Sequence, residues 1–198
     1  MKTTRERTLT MEAFGAKVTL LEGIELCRDY AEEKGATEGY FLLNQFANPD
    51  NYMAHYKTTG PEIWRDTEGQ ITHFVSAMGT TGTIMGNSRY FKEKNADIQI
   101  VGCQPTEGSS IPGIRRWPVE YLPKIFEPER VDRVMDISEE EATAMARKLA
   151  KVEGVFAGMS SGGALAGSIK LAQELKEGTI VFVCCDRGDR YLSSDLFG

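Results

Sequence analysis

Short apolar runs, rich in β-branched and aromatic residues, recur along this chain with segments of helical period between them. That alternation constrains the fold more than any single motif, because strands buried on both faces read as continuous apolar runs. The strand candidates are residues 18–21, 40–43, 71–77, 98–103 and 180–185. Helical spacing predicts helices over 6–14, 24–34, 83–94, 139–152 and 162–175. The expected architecture is α/β, an open and mostly parallel sheet with helices on both faces. The best-marked helix start is Ser138, with Glu141 three residues on, a capping box, and Gly154 closes the same pattern. Turn residues at Asn48, Pro49, Asp50 and Asn51 suggest a boundary, dividing the chain into 1–50 and 51–198. The longest irregular stretch is 105–128, and loops of that length in a compact domain tend to be functional.

Charge and cysteine usage remove several function classes. A net charge of -6 offers no basic footprint for nucleic acid or an anionic membrane. No stretch reaches the roughly 18 to 20 apolar residues that a spanning helix needs. The start of the chain is charged and lacks an apolar signal core, so a cytoplasmic location is expected. Cys27, Cys103, Cys184 and Cys185 have no metal-binding spacing, and His55 and His73 are the only histidines, so no metal is expected. The four cysteines are expected to be buried, reduced thiols.

The most informative segment runs from Phe74 through Gly79, Thr80, Thr81, Gly82 and Thr83 to Ile84. An apolar strand enters a Gly/Thr turn, and a helical pattern opens behind it. Such a turn leaves several backbone N–H groups near the positive end of a helix dipole, where a phosphate is the natural guest. It is neither a Walker A loop nor a dinucleotide fingerprint, and a tight strand–helix connection accounts for it equally well. A second turn of small residues, Gly158, Met159, Ser160, Ser161, Gly162 and Gly163, is explained for its glycines by close helix packing; Ser160 is not. A third segment, Cys184 to Leu192, dense in charge at Asp186, Arg187, Asp189 and Arg190, reads by itself as a charged turn after a strand.

Taken together, these segments resemble the cysteine synthases, in the tryptophan-synthase-β class (fold type II) of pyridoxal-phosphate enzymes. The resemblance rests on Asn44 to Pro49, Thr58 to Trp64, Gly79 to Thr83, Gly108 to Gly113, Gly158 to Gly163 and Asp186 to Ser193, in the family's order. It implies that Gly79, Thr80, Thr81, Gly82 and Thr83 bind the phosphate of pyridoxal 5′-phosphate. It further implies that Ser160 bonds the pyridine nitrogen, and that Gln45 and Gly113 belong to the substrate site. The stretch Ile114, Arg115, Arg116, Trp117 and Pro118 is closer to the B isozyme type than to the A type. Arg115 and Arg116 would then favour an anionic sulfur donor, thiosulfate beside sulfide, the alternative being an exposed basic loop. The implied activity is L-cysteine synthesis by β-replacement on O-acetylserine, by a homodimer.

The family's Schiff-base lysine segment, and the loop that binds substrate carboxylate beside it, have no counterpart in these 198 residues. No catalytic residue is therefore assigned. The expectation is an N-terminally truncated enzyme in which 1–50 is a remnant of the smaller mobile domain and 51–198 is the larger cofactor-phosphate domain. Such a chain lacks activity on its own. The alternative is a non-catalytic phosphate-binding module, or a partner of an intact homologue.

Overall fold

The computed structural model describes residues 3–198. Four parallel strands form one sheet in the order β3-β2-β1-β4, with β1 at His73–Ala77, β2 at Gln99–Pro105, β3 at Arg133–Ile137 and β4 at Ile180–Phe182. Phe74 pairs with Ile100 and Val75 with Val101, so alternate residues leave the sheet on opposite faces.

Each face has its own core. Phe74 and Ile100 meet Ile84, Met85 and Phe91 of α5 (Gly82–Lys94), backed by Tyr52 of α3 (Asp50–Lys57) and Trp64 of α4 (Thr59–Asp66). Val75, Val101 and Cys103 meet Ala142 and Ala146 of α6 (Glu139–Glu153), and Ala166 and Leu171 of α7 (Met159–Glu174). Phe74 and Phe91 are fully buried with ring centroids 5.3 Å apart. Each such burial stabilises by roughly 1.5–3 kcal/mol. The expected parallel sheet with helices on both faces is what forms.

Small residues set the helix spacing. A Cβ on Gly162 would stand 2.1 Å from the Ala142 carbonyl oxygen, so α7 lies directly against α6. The capping box is present: Glu141 N–H donates to Ser138 Oγ at 3.1 Å, and Ser138 N–H donates to Glu141 Oε2 at 2.8 Å. Gly154 closes α6 in the left-handed region at φ 67°.

Several expectations change. Residues 18–21 and 40–43 are not strands, because among the described residues no neighbouring strand pairs with their backbones. Most of their side chains are exposed, Leu20 at 66% and Phe41 at 88%, with Val18 and Leu42 half-buried. Residues 180–185 form a strand only as far as Phe182, where pairing with β1 ends. Strand β3 was not expected, since Arg133, Val134 and Asp136 are exposed and break the apolar run. Helices α3 and α4 fill the stretch around and after the expected boundary, with Asp50 supplying acid to the first turn of α3. Of the thiols only Cys103 is buried; Cys27 is half-buried, and Cys184 and Cys185 follow the end of β4 as exposed residues. Helices α1 (Arg5–Ala13) and α2 (Ile24–Gly35) contain no residue that is buried as a whole.

Candidate functional site

The carboxyl end of β1 runs straight into the Gly/Thr turn. A cavity of about 320 Å³ opens there, lined by Ala77, Gly79, Thr80, Thr81 and Thr83 on one side and by Gly113, Ser160, Cys185 and Asp186 on the other. The position is the one open parallel sheets reserve for ligands, outside the carboxyl ends of the strands.

Thr81, the residue just before α5, sits in the left-handed region at φ 71°. A β-branched residue there costs on the order of 1–3 kcal/mol and persists where the surroundings hold it. The geometric return is a concavity of successive N–H groups. Among the described residues, the amides of Gly79, Thr80, Thr81 and Thr83 donate to no backbone carbonyl. The Gly82 amide makes only a long contact, 3.4 Å, with Thr80 Oγ1. Thr81 Oγ1 is buried without any hydrogen-bond partner. Donors left this way around one cavity fit an anion with several oxygens. Closeness is also required, and a Cβ on Gly79 would meet the Gly113 carbonyl oxygen at 2.7 Å.

Helix α3 holds the turn from behind. Asn51 Nδ2 donates to Thr80 Oγ1 at 3.1 Å and to the Gln45 carbonyl at 2.7 Å. His55, one helical turn further on, places Nε2 3.2 Å from Thr83 Oγ1 and Nδ1 2.9 Å from Thr59 Oγ1. Burial lowers the His55 pKa, favouring the neutral ring. These two residues lie four apart on one helix face, a spacing visible in the sequence but given no weight there.

Ser160 stands across the cavity, 3% exposed, on the first turn of α7. Its Oγ accepts from Cys185 Sγ at 3.2 Å, so its own hydroxyl proton stays available to a guest. Cys185 is exposed as a residue, but its sulfur lies at the cavity wall, where desolvation, followed by the Asp186 charge, raises its pKa and favours the thiol. Gly113, at φ 87°, reaches the same point: a Cβ there would lie 2.9 Å from Ser160 Oγ. Asp186 turns inward and takes up the start of α7. Its Oδ1 accepts from Gly158 N–H at 3.1 Å and Ser161 N–H at 3.0 Å, and its Oδ2 from Ser160 N–H at 3.2 Å and Tyr191 Oη at 2.6 Å. The stretch read as a charged turn therefore supplies a helix cap, and burial followed by this hydrogen bond raises the Tyr191 pKa.

The structure brings Gly79, Thr80, Thr81, Thr83, Gly113 and Ser160 to one cavity. Gly82 begins α5 beneath them, tight against Asn51. Gln45 is exposed and is tied in through its carbonyl alone. Arg115 lines a different cavity, of about 240 Å³, with Met78, Trp117 and Phe126, and Thr81 is the wall the two share. Arg116 is spent in an ion pair with Asp136 at 2.6 Å. No lysine lines the Ser160 cavity, and no metal-binding cluster exists among the described residues.

The profile of the family described as "Pyridoxal-phosphate dependent enzyme" matches residues 1–186. The chain belongs to this family. Pyridoxal-phosphate enzymes similar to it include cysteine synthase B of Pseudomonas aeruginosa, 56% identical over 98% of this chain and 66% of the relative. Cysteine synthase B of Escherichia coli is 54% identical over 98% of the chain and 65% of the relative. A cysteine synthase of Entamoeba histolytica shares the fold with a TM-score of 0.84 and 37% identity, covering 99% of this chain and 63% of that structure. The chain thus spans just under two thirds of the length of these relatives. The free amides and the orphaned Thr81 hydroxyl have the chemistry of an anion site, which a phosphorylated cofactor fits, and the Ser160 hydroxyl offers a donor across the cavity from them.

Proposed function

We propose that this chain supplies the cofactor-phosphate half of a B-type cysteine synthase, which replaces the acetoxy group of O-acetylserine with sulfide or thiosulfate. The observation that carries the reading is the set of unengaged amides at Gly79, Thr80, Thr81 and Thr83, facing Ser160 across one cavity. Bound pyridoxal phosphate supplies the electron sink that lets the acetoxy group leave and sulfur add at the same carbon. The turn's amides and the Thr81 hydroxyl bind and orient the phosphate. Ser160 meets the ring nitrogen with a neutral hydroxyl, which leaves that nitrogen unprotonated and suits replacement better than transamination. Asp186 fixes Ser160 by accepting from its amide, and Cys185 fixes the hydroxyl's rotation by donating to Oγ.

In this reading residues 1–50 are what remains of a smaller mobile domain and 51–198 form the larger domain. The protein works in the cytoplasm as a homodimer. Gln45 and Gly113 serve the substrate site, and Arg115 the anionic donor. The lysine that links to the cofactor's aldehyde lies outside these residues.

Pyridoxine 5′-phosphate has no aldehyde and cannot link to surface lysines. It should bind at least about tenfold more tightly than pyridoxine, since hydrogen bonds to a charged group contribute about 1.5–3 kcal/mol. Equal affinities would remove the assignment. With pyridoxal phosphate and borohydride, no single lysine should be labelled to one equivalent, and one fully labelled lysine would overturn the placement of the catalytic lysine elsewhere.

A second reading, a non-catalytic binding module or a partner of an intact homologue, draws on the absence of a lysine lining the cavity among the described residues. Supplying the N-terminal third of the Pseudomonas relative as a separate polypeptide separates the two. Recovered cysteine synthesis supports the enzyme, and persistent inactivity of a folded, cofactor-bound mixture supports the module. In a recovered enzyme, Arg115→Ala should weaken use of thiosulfate more than use of sulfide, and equal loss for both would end its donor role.

A further inference from the structure

The cradle for the phosphate is aimed from behind. Two carbonyls of the turn are taken by the segment that follows Gly113: Arg115 N–H donates to the Met78 carbonyl at 2.8 Å, and Trp117 Nε1 donates to the Gly79 carbonyl at 2.7 Å. In a trans peptide the carbonyl and the next N–H point in opposite directions. Holding the Met78 and Gly79 oxygens toward Arg115 and Trp117 therefore turns the Gly79 and Thr80 N–H groups the other way. The cavities agree with that direction. Gly79 and Thr80 line the one that holds Ser160, whereas Arg115 and Trp117 line only the one on the far side of Thr81.

Trp117 is itself held in place by an element remote from the site. Arg28 of α2 lies with Cζ 4.3 Å from the Phe46 ring centroid, 5.4 Å from Trp117 and 5.5 Å from Tyr121. Its guanidinium also donates to the Tyr121 carbonyl, and Phe46 meets Trp117 edge-on at 5.5 Å. Arg28 Nε is buried without a partner, a cost that only a well-packed seat sustains. A cation among three rings is worth more once water is excluded.

We propose that Trp117 is a positioning residue for the cofactor phosphate, setting the orientation of the Gly79–Thr80 peptide through its indole N–H, and that Arg28 positions Trp117. This rests on the turn being the phosphate site. It assigns to Trp117 and Arg28 a part in holding the cofactor, separate from any contact with substrate. Because the indole acts only through the turn, its loss affects ligands that carry a phosphate and spares those that do not.

The test compares the affinities of pyridoxine 5′-phosphate and pyridoxine for the full chain by calorimetry. Trp117→Phe keeps a ring in the cluster and removes the N–H. It should lower the phosphate ester's affinity about tenfold while leaving pyridoxine within twofold, because one well-aimed charge-assisted hydrogen bond is worth about that factor. Arg28→Met should give a smaller loss of the same kind, about threefold, and it carries the test alone should the Trp117 variant not fold. A folded variant that retains the full preference for the phosphate ester overturns the proposal while leaving the phosphate site intact. A wild-type chain with no such preference overturns both. Equal losses for the two ligands would mark a general packing role and also overturn it.

Discussion

Two helices begin at this cavity, α5 after Gly79 to Thr81 and α7 after Gly158, and they treat their first amides in opposite ways. At α7 the protein provides its own anion: Asp186 collects the amides of Gly158, Ser160 and Ser161, together with the Ser161 and Tyr191 hydroxyls. At α5, among the described residues, no carboxylate arrives, the first amides engage no backbone carbonyl, and Thr81 Oγ1 is buried alone. Both ends carry the same partial positive charge of aligned peptides. The difference teaches that a glycine-rich helix start is left open to an anion only where the rest of the fold declines to fill it.

The comparison breaks most visibly at Asp186. Asp186→Ala strips the anion from α7 and leaves buried donors without partners, so unfolding free energy should fall by about 3 kcal/mol in urea titrations. Sulfate should then stabilise the variant more than the parent, since the variant has two open helix starts. A loss under about 1 kcal/mol would mean the two ends differ less than their hydrogen bonds imply. Next comes Gly79→Ala, whose Cβ would press on the Gly113 backbone oxygen from 2.7 Å. Overpacking of this kind costs about 1–3 kcal/mol. Pyridoxine 5′-phosphate should bind more than about tenfold more weakly, whereas Gly154→Ala, with nothing within 4 Å of its Cβ, should leave binding unchanged.

Thr81→Val sharpens the contrast at smaller amplitude. Removing a hydroxyl with no partner should leave the ligand-free chain as stable as before, or more stable by up to about 1 kcal/mol. Affinity for the phosphate ester should still fall severalfold, and a variant that binds as tightly as the parent would show the hydroxyl is not used. The smallest effect is with pH. Burial holds His55 below its ordinary value of 6.5, so the folded state favours the neutral ring. Its contribution is complete above pH 6.5 and is lost as pH falls below that toward its depressed folded value. A stability profile between pH 5 and 7 should slope downward toward acid, and His55→Gln should flatten part of that slope, with His73, similarly shifted, contributing to what is left.

Much of this was legible in the sequence for a plain reason: periodic burial writes itself into periodic residues. Helices α5, α6 and α7 and the strands at His73–Ala77 and Gln99–Pro105 follow apolar patterns set by burial, whereas α1 and α2 form over the expected spans without a buried residue. Arg133–Ile137 escaped because an edge strand with exposed Val134 and Asp136 has no continuous apolar run to show. Residues 18–21 and 40–43 misled because an apolar run becomes a strand only with a neighbour to bond. The turn at Gly79 to Thr83 was readable as a place where a phosphate fits, but local sequence left it level with a tight connection. What tips the balance comes from far along the chain: Asp186 goes to α7, Trp117 takes the Gly79 carbonyl, and Asn51 takes the Thr80 hydroxyl. None of those pairings is encoded by spacing.

No residue of α1 or α2 is buried as a whole: α2 anchors through the Arg28 guanidinium among its rings, and α1 is tied down by polar bonds, Arg190 donating to Thr10 Oγ1 and Ser193 to Glu6. Amide exchange should therefore divide the molecule into a fast-exchanging leading segment and a slow sheet. Trypsin should cut first at Lys17, in the irregular stretch between the two helices, long before it reaches the strands.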